Sequence, residues 1–259
     1  MTQTQPYGTV LIKADKILDF LSSAPTPQPL HTIAKATEMT NPTTLKILGT
    51  LELIGYVTKN DTDKTYVLGS GLVRYANQYL ANLDISKIAY PYLKELHDKL
   101  DETVHLSIRE GDEILYVNKL ESMRPIVVTT SRIGYSKPMY ASAMGKAILS
   151  ELPEAEVDAY LERVELKPFT PHTLVTATTL KEELAEIREK ELAFDNSEEQ
   201  IEVFCMGATL SINGKNYGAF SVSMPTYRRT PEKEATVAEA IRTARRGILK
   251  ELQNVYMYI

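Results

Sequence analysis

Residues 41–69 read NPTTLKILGTLELIGYVTKNDTDKTYVLG, and this stretch decides the fold. Asn41 is a good N-cap, and Pro42 at the first helical position gives up an N–H that has no helical partner there. The spacing of Leu45, Leu48, Leu51 and Ile54 predicts a buried helix face. Gly55 stands where a helix ends. Tyr56-Val57 and Tyr66-Val67-Leu68 then predict two short strands around the polar loop Thr58 to Thr65. A short helix followed by a small charged hairpin is the reading end of a winged helix-turn-helix.

Working outward, Val10, Ala14, Ile17, Leu18 and Leu21 fall on one face of an earlier helix, which the Pro-rich stretch 24–29 ends. A second short helix follows, with Leu30, Ile33, Ala34 and Thr37 inward, and Glu38 to Thr40 makes the turn. After the break Gly69-Ser70-Gly71, Leu72 to Leu83 reads as a connecting helix. Three regions result: a winged helix-turn-helix over residues 1–69, a linker helix over 70–86 and a larger domain over 87–259.

In the larger domain the pattern predicts a helix from Ile88 to Leu100 opened by Pro91. Strands follow over 103–108, 114–118 and 126–130. Short helices cover 143–152 and 180–191, and a hairpin over 202–224 turns at Asn213-Gly214. A long closing helix spans 234–255. Helices flanking a mostly antiparallel sheet make the class α+β.

The 259 residues carry a net charge of −5, with 43% hydrophobic and 24% charged residues, ordinary values for a globular protein. No run is long enough to suggest a membrane span and no secretory signal is visible. The single cysteine, Cys205, excludes an internal disulfide. These features point to the cytoplasm, without a membrane partner. Residues 1–80 hold 7 Lys+Arg against 6 Asp+Glu, and the remainder 22 against 28, so the acidity is C-terminal. A near-neutral N-terminal part can still present a local basic strip to double-stranded DNA.

A helix in the major groove needs polar side chains at its N-terminal end. The expected face carries Asn41, Thr43, Thr44, Lys46, Ile47 and Thr50, with Ile47 suited to a thymine methyl. Thr32 suits a phosphate, as do Lys59 and Lys64 in the wing. Asp61 and Asp63 oppose them. With so few basic residues, useful affinity requires a dimer on two half-sites.

The chain resembles the IclR family of bacterial transcription regulators. The resemblance lies in PTTLKILGTLELIGYV followed by YVLGSGL, in ASAMGKAILSEL (141–152) and in PFTPHTLVTATTLKEELAEIREK (168–190). It continues in FDNSEEQIEVFCMGATL (194–210) and AFSVSMPTYRRT (219–230). Lys46 stands where the family usually has an Arg. The resemblance implies a winged helix joined by a linker helix to a GAF-like effector-binding domain. It also implies homodimers, often dimers of dimers, on operator DNA. The effector it implies is a small organic acid or aromatic metabolite, with a sugar acid or a 2-oxo acid as the family's habit, and the regulation expected is repression, or alternatively activation, of a catabolic operon.

For the effector, Ser221 and Ser223 share one strand face and Cys205 lies on the paired strand. The helix start at Ala143-Met144-Gly145 offers backbone N–H groups to a carboxylate. Asp195 could accept from a ligand hydroxyl, and Met139, Met144 and Leu210 could form an apolar wall. The bland reading makes Cys205 an inert core thiol, Gly145 a packing glycine and Lys146 a salt-bridge residue. No cofactor or metal is expected. Two alternatives remain: a small-molecule-binding interaction module, and an enzyme using Cys205. The enzyme would need a base among His31, His97, His105 and His172, and no motif links any of them to the cysteine.

Overall fold

Of the five apolar positions expected on the first helix, α1 (Thr9–Ser23), Ile17 and Leu21 are buried, whereas Val10, in the first turn, is mostly exposed. A two-residue strand, β1 (Gln28–Pro29), precedes α2 (Leu30–Ala36), which buries Ile33 and Ala34. Next come α3 (Asn41–Leu53), β2 (Val57–Asn60), β3 (Thr65–Leu68) and α4 (Val73–Ala81). β3 pairs antiparallel with β2 and β1, giving the wing of a winged helix-turn-helix. The computed structural model describes residues 8–81, 84–124 and 131–256, and the strand expected over 126–130 lies outside them. The chain divides into two units, Met1–Asn82 and Leu83–Ile259.

The inward face of α3 differs from the expected one. Thr44, Ile47, Leu48 and Leu51 are buried, whereas Leu45 is 50% exposed and Ile54 47% exposed. Helix geometry gives the reason. At about 100° per residue, nine residues place Leu45 and Ile54 on opposite sides, while positions 44, 47, 48 and 51 fit within about 100°. The helix also starts one residue early: Thr40 is the N-cap and Asn41 is already helical.

A close approach fixes the hairpin onto the end of α3. Gly55 has φ 76°, and Gly69 donates its N–H to the Tyr56 carbonyl at 2.7 Å. A Cβ on Gly69 would lie 2.3 Å from the Gly55 carbonyl oxygen, so no side chain fits there.

The C-terminal unit opens with α5 (Asp84–Leu100), which begins earlier than expected and carries Pro91 inside it. β4 (Thr103–Glu110), β5 (Glu113–Leu120) and β6 (Ser136–Pro138) lead to α6 (Ala143–Glu151), α7 (Glu154–Arg163) and α8 (Ala177–Lys190). The chain ends in β7 (Ala193–Asn196), β8 (Val203–Ile212), β9 (Lys215–Pro225) and α9 (Pro231–Tyr256). The six described strands form one antiparallel sheet in the order β6-β5-β4-β9-β8-β7. The β8–β9 turn has Asn213 and Gly214 both at positive φ, the two-residue hairpin that Asn-Gly favours.

Alternation divides the sheet into two faces. Val104, Leu106, Phe204, Met206, Phe220 and Val222 belong to one, and all are buried. The other carries Thr103, His105, Cys205, Gly207, Ser221 and Ser223, with His105 opposite Ser221 and Cys205 opposite Ser223. α6 covers part of this second face: Ala143 Cβ would lie 3.5 Å from a Cβ placed on Gly207.

Candidate functional site

Each unit presents one candidate site. On α3, helix geometry centres the outward face on Pro42, Lys46 and Gly49. Pro42, Lys46, Gly49 and Asn41 are exposed, and Gly49 has open space where a side chain would be. Thr43 is half-buried, its hydroxyl 3.0 Å from that of Thr40. Thr50 is exposed and donates to the Lys46 carbonyl at 3.1 Å. Thr44 donates its hydroxyl to the Thr40 carbonyl from a buried position. Ile47 is 6% exposed within the core. Thr44 and Ile47 therefore face the wrong way to touch a groove, and Leu45 takes the outward position that the sequence reading gave to Ile47. Thr32 is half-buried, 3.3 Å from His31 Nε2.

In the wing, Lys64 is exposed and Lys59 pairs with Asp61 at 3.2 Å. That bond holds the Lys59 pKa above its ordinary value. Asp63 accepts from the Thr65 N–H at 3.1 Å and from its hydroxyl at 2.6 Å, which lowers its pKa. The two aspartates that seemed to oppose DNA thus have local work: one shapes the turn and the other orients a lysine.

The second site is a small cavity on the polar face of the sheet. Its wall is made by His105, Tyr116, Ser131, Asp195, Glu199, Gln200, Val203, Cys205 and Ser223. A hydrogen-bonded chain crosses it. Cys205 Sγ lies 3.1 Å from Ser223 Oγ, Ser223 Oγ 3.3 Å from His105 Nδ1, and His105 Nε2 2.7 Å from Ser131 Oγ. Its volume is about 20 Å³, room for roughly one water.

Beneath it lies a cluster of carboxylates. Asp195 Oδ1 accepts the Glu198 N–H at 2.7 Å. Glu198 pairs with the fully buried Lys146 at 2.5 Å, and Glu183 reaches the same ammonium at 3.2 Å. Glu199 pairs with Lys137. Asp195 is 3% exposed, and burial raises its pKa to about 7 despite the Glu198 N–H. Burial, with Lys119 nearby, lowers His105 to about 3, and burial pushes the Cys205 thiol up. At neutral pH the relay is therefore an uncharged thiol, hydroxyls and a neutral imidazole, not a thiolate–imidazolium pair.

Six expected pocket residues lie outside the cavity wall. Met139 is fully buried in the core beside α6. Ala143 and Met144 are buried on α6, with Met144 Sδ 3.3 Å from the Ser107 hydroxyl. Gly145 packs on the Met139 backbone, where a Cβ would come within 2.3 Å of Met139 Cα, and its N–H is taken by Ser142 Oγ at 3.1 Å. Of the three N-terminal amides expected to hold a carboxylate, that of Gly145 is thus already capped. Leu210 alternates to the opposite sheet face from Cys205 and is fully buried. Ser221 shares the polar face but sits outside the cavity wall, beside Gly207 where α6 comes close. Asp195, Cys205 and Ser223 are brought together as expected. The sequence reading missed His105, Tyr116, Ser131 and Glu199 as wall residues. Only His105 left a signal, since it alternates with the apolar positions of β4.

A winged helix-turn-helix on one unit and a larger α+β unit beside it in sequence is the architecture of a DNA-binding regulator. The chain belongs to the IclR family: the IclR helix-turn-helix domain matches residues 10–61, and the C-terminal domain of bacterial transcriptional regulator IclR matches residues 77–249. It is 32% identical over 233 residues to the HTH-type transcriptional regulator XynR of Escherichia coli K12, covering 90% of this chain and 92% of that one. The DNA-binding transcriptional repressor YiaJ of the same strain is 29% identical over 252 residues, covering 96% and 89%. The crystal structure of the Thermotoga maritima IclR superposes with a TM-score of 0.77 at 34% identity, covering 94% of this chain and 98% of that one. These relatives are regulators of transcription, not enzymes, and the alternative of a Cys205 enzyme falls with them.

Proposed function

We propose that this protein is a repressor of a catabolic operon, released from its operator by a small organic acid that enters the Asp195–Cys205–Ser223 cavity. The outward face of α3, with Asn41, Thr43, Lys46 and Thr50, lies in the major groove, while Thr32, Lys59 and Lys64 meet flanking phosphates. Binding is by a homodimer, or a dimer of dimers, because one such face is too weakly basic to hold DNA alone.

The observation that carries the effector assignment is the cavity itself: a buried carboxyl, two hydroxyls, a thiol and a neutral imidazole converge on one small cleft. Its three neighbouring lysines are already paired, Lys146 with Glu198, Lys137 with Glu199 and Lys119 with Glu121. A ligand carboxylate therefore meets Asp195 in its neutral form, whose O–H donates to it. The hydroxyls of a sugar acid suit Ser131, Ser223 and Glu199. Because the cavity holds about one water, the acid must displace internal hydrogen bonds as it enters. The free energy passed to the DNA-binding units is about 1–3 kcal/mol.

The test is a mobility shift on the DNA upstream of the protein's own gene, with and without a panel of short 2-oxo acids and sugar acids, at pH 6 and pH 8. The expected result is operator binding weakened about fivefold to a hundredfold by one acid, at lower acid concentration at pH 6. Operator binding that no acid alters at either pH overturns the effector assignment.

A further inference from the structure

We infer that Leu45 is a specificity-determining residue of the reading helix, packing against the C5-methyl group of one thymine in each half-site. The inference rests on the placement of α3 in the major groove. Once Ile47 is turned inward, residues 41–50 of α3 present Asn41, Pro42, Leu45, Lys46, Gly49 and Thr50 to solvent. Leu45 is the long aliphatic side chain among them, 50% exposed. The more exposed Leu53, at 85%, stands at the far end of the helix, away from the turn that meets base edges. Leu45 is also unshielded. Its i+4 neighbour is Gly49, where a Cβ would find no atom within 4 Å, so the helix can settle deeply with Leu45 on one flank of the contact. The group in the major groove that rewards an apolar side chain is the thymine methyl. Lys46, next to it, supplies a charge that a phosphate or a guanine edge can accept.

A duplex selected from a random pool by the full-length protein provides the test. Each thymine of one half-site is replaced in turn by deoxyuridine, which removes only the methyl. Wild-type protein should lose about fourfold in affinity at one position, the worth of one buried methyl group. Leu45→Ala should bind the thymine and uridine duplexes equally, and the uridine duplex about as well as wild type does, which also shows that the variant is folded. Wild-type indifference to every uridine, a half-site without thymine, or a thymine preference that survives in Leu45→Ala overturns the role of Leu45 alone. Failure to select any duplex overturns the placement of α3 in DNA as well.

Discussion

The reading helix and the cavity treat their polar groups in opposite ways. On the outward face of α3, Asn41 and Lys46 project into solvent and Gly49 leaves a gap. In the cavity, Cys205, Ser223, His105 and Ser131 bond one another, and about 20 Å³ is left over. The first surface is ready for a partner as it stands. The second has satisfied itself, so a ligand must compete with bonds already made, and selectivity comes from which bonds it can replace. The proposed reading and sensing roles therefore fall in separate units of one chain.

The sharpest way to break this contrast is at the foundation of the cavity. Lys146→Ala leaves Glu198 buried without its cation and should destabilise the C-terminal unit by about 3–5 kcal/mol, read as a lowered denaturant midpoint. A midpoint unchanged within 1 kcal/mol would mean that water replaces the ammonium and that the foundation is looser than described.

Asp195 gives a test with a definite sign. Its pKa in the fold is about 7, against an ordinary value of 3.8. The folded state thus holds a proton that the unfolded chain releases between those values, and stability falls as pH rises from about 4 to 7. Asp195→Asn still offers an oxygen to the Glu198 N–H but has no proton to lose. It should lie close to wild type at pH 4 and exceed it by about 4 kcal/mol at pH 8. Equal stabilities at both pH values would show the carboxyl to be solvated.

Gly145→Ala tests whether the start of α6 is packed rather than open. The added methyl meets the Met139 backbone, and an overpacking cost of about 1–3 kcal/mol is expected in thermal melts. A neutral substitution would reopen that helix end as a ligand site. The smallest effect belongs to the open face. Lys46→Ala should weaken operator binding by about 1 kcal/mol and reduce the slope of log K against log salt by about 1, without moving the melting temperature. An unchanged slope would remove Lys46 from the phosphates.

Much of the fold was legible because local signals agreed. Asn213-Gly214 marked its hairpin, and alternation along β8 and β9 placed Cys205 and Ser223 together. The failures have physical causes. On α3 the Leu-x-x-Leu spacing matched two helix phases, and only packing against Ile17 and Ile33 selects the one that buries Thr44. Ser131 and Glu199 reach the cavity from segments far apart in sequence, so no spacing announces them. The register shift between Leu106 and Ser107 brings Tyr116 beside His105, with ring centroids 5.3 Å apart. A bulge of this kind leaves no simple period. Lys146 read as an ordinary ion-pair residue. Its full burial became evident only when α6, α8 and the Asp195–Glu199 turn closed around it.

The cavity wall also contains the chain's single cysteine. Cys205 is bonded to Ser223, and its thiol is held in the protonated, slow-reacting form. Any thiol-specific label placed on the full-length protein therefore reports from this one point. Cys205 is partly exposed, so the rate at which the label attaches measures access to this wall, and its slowing by a candidate acid would report occupancy of the proposed effector site with no added cysteine.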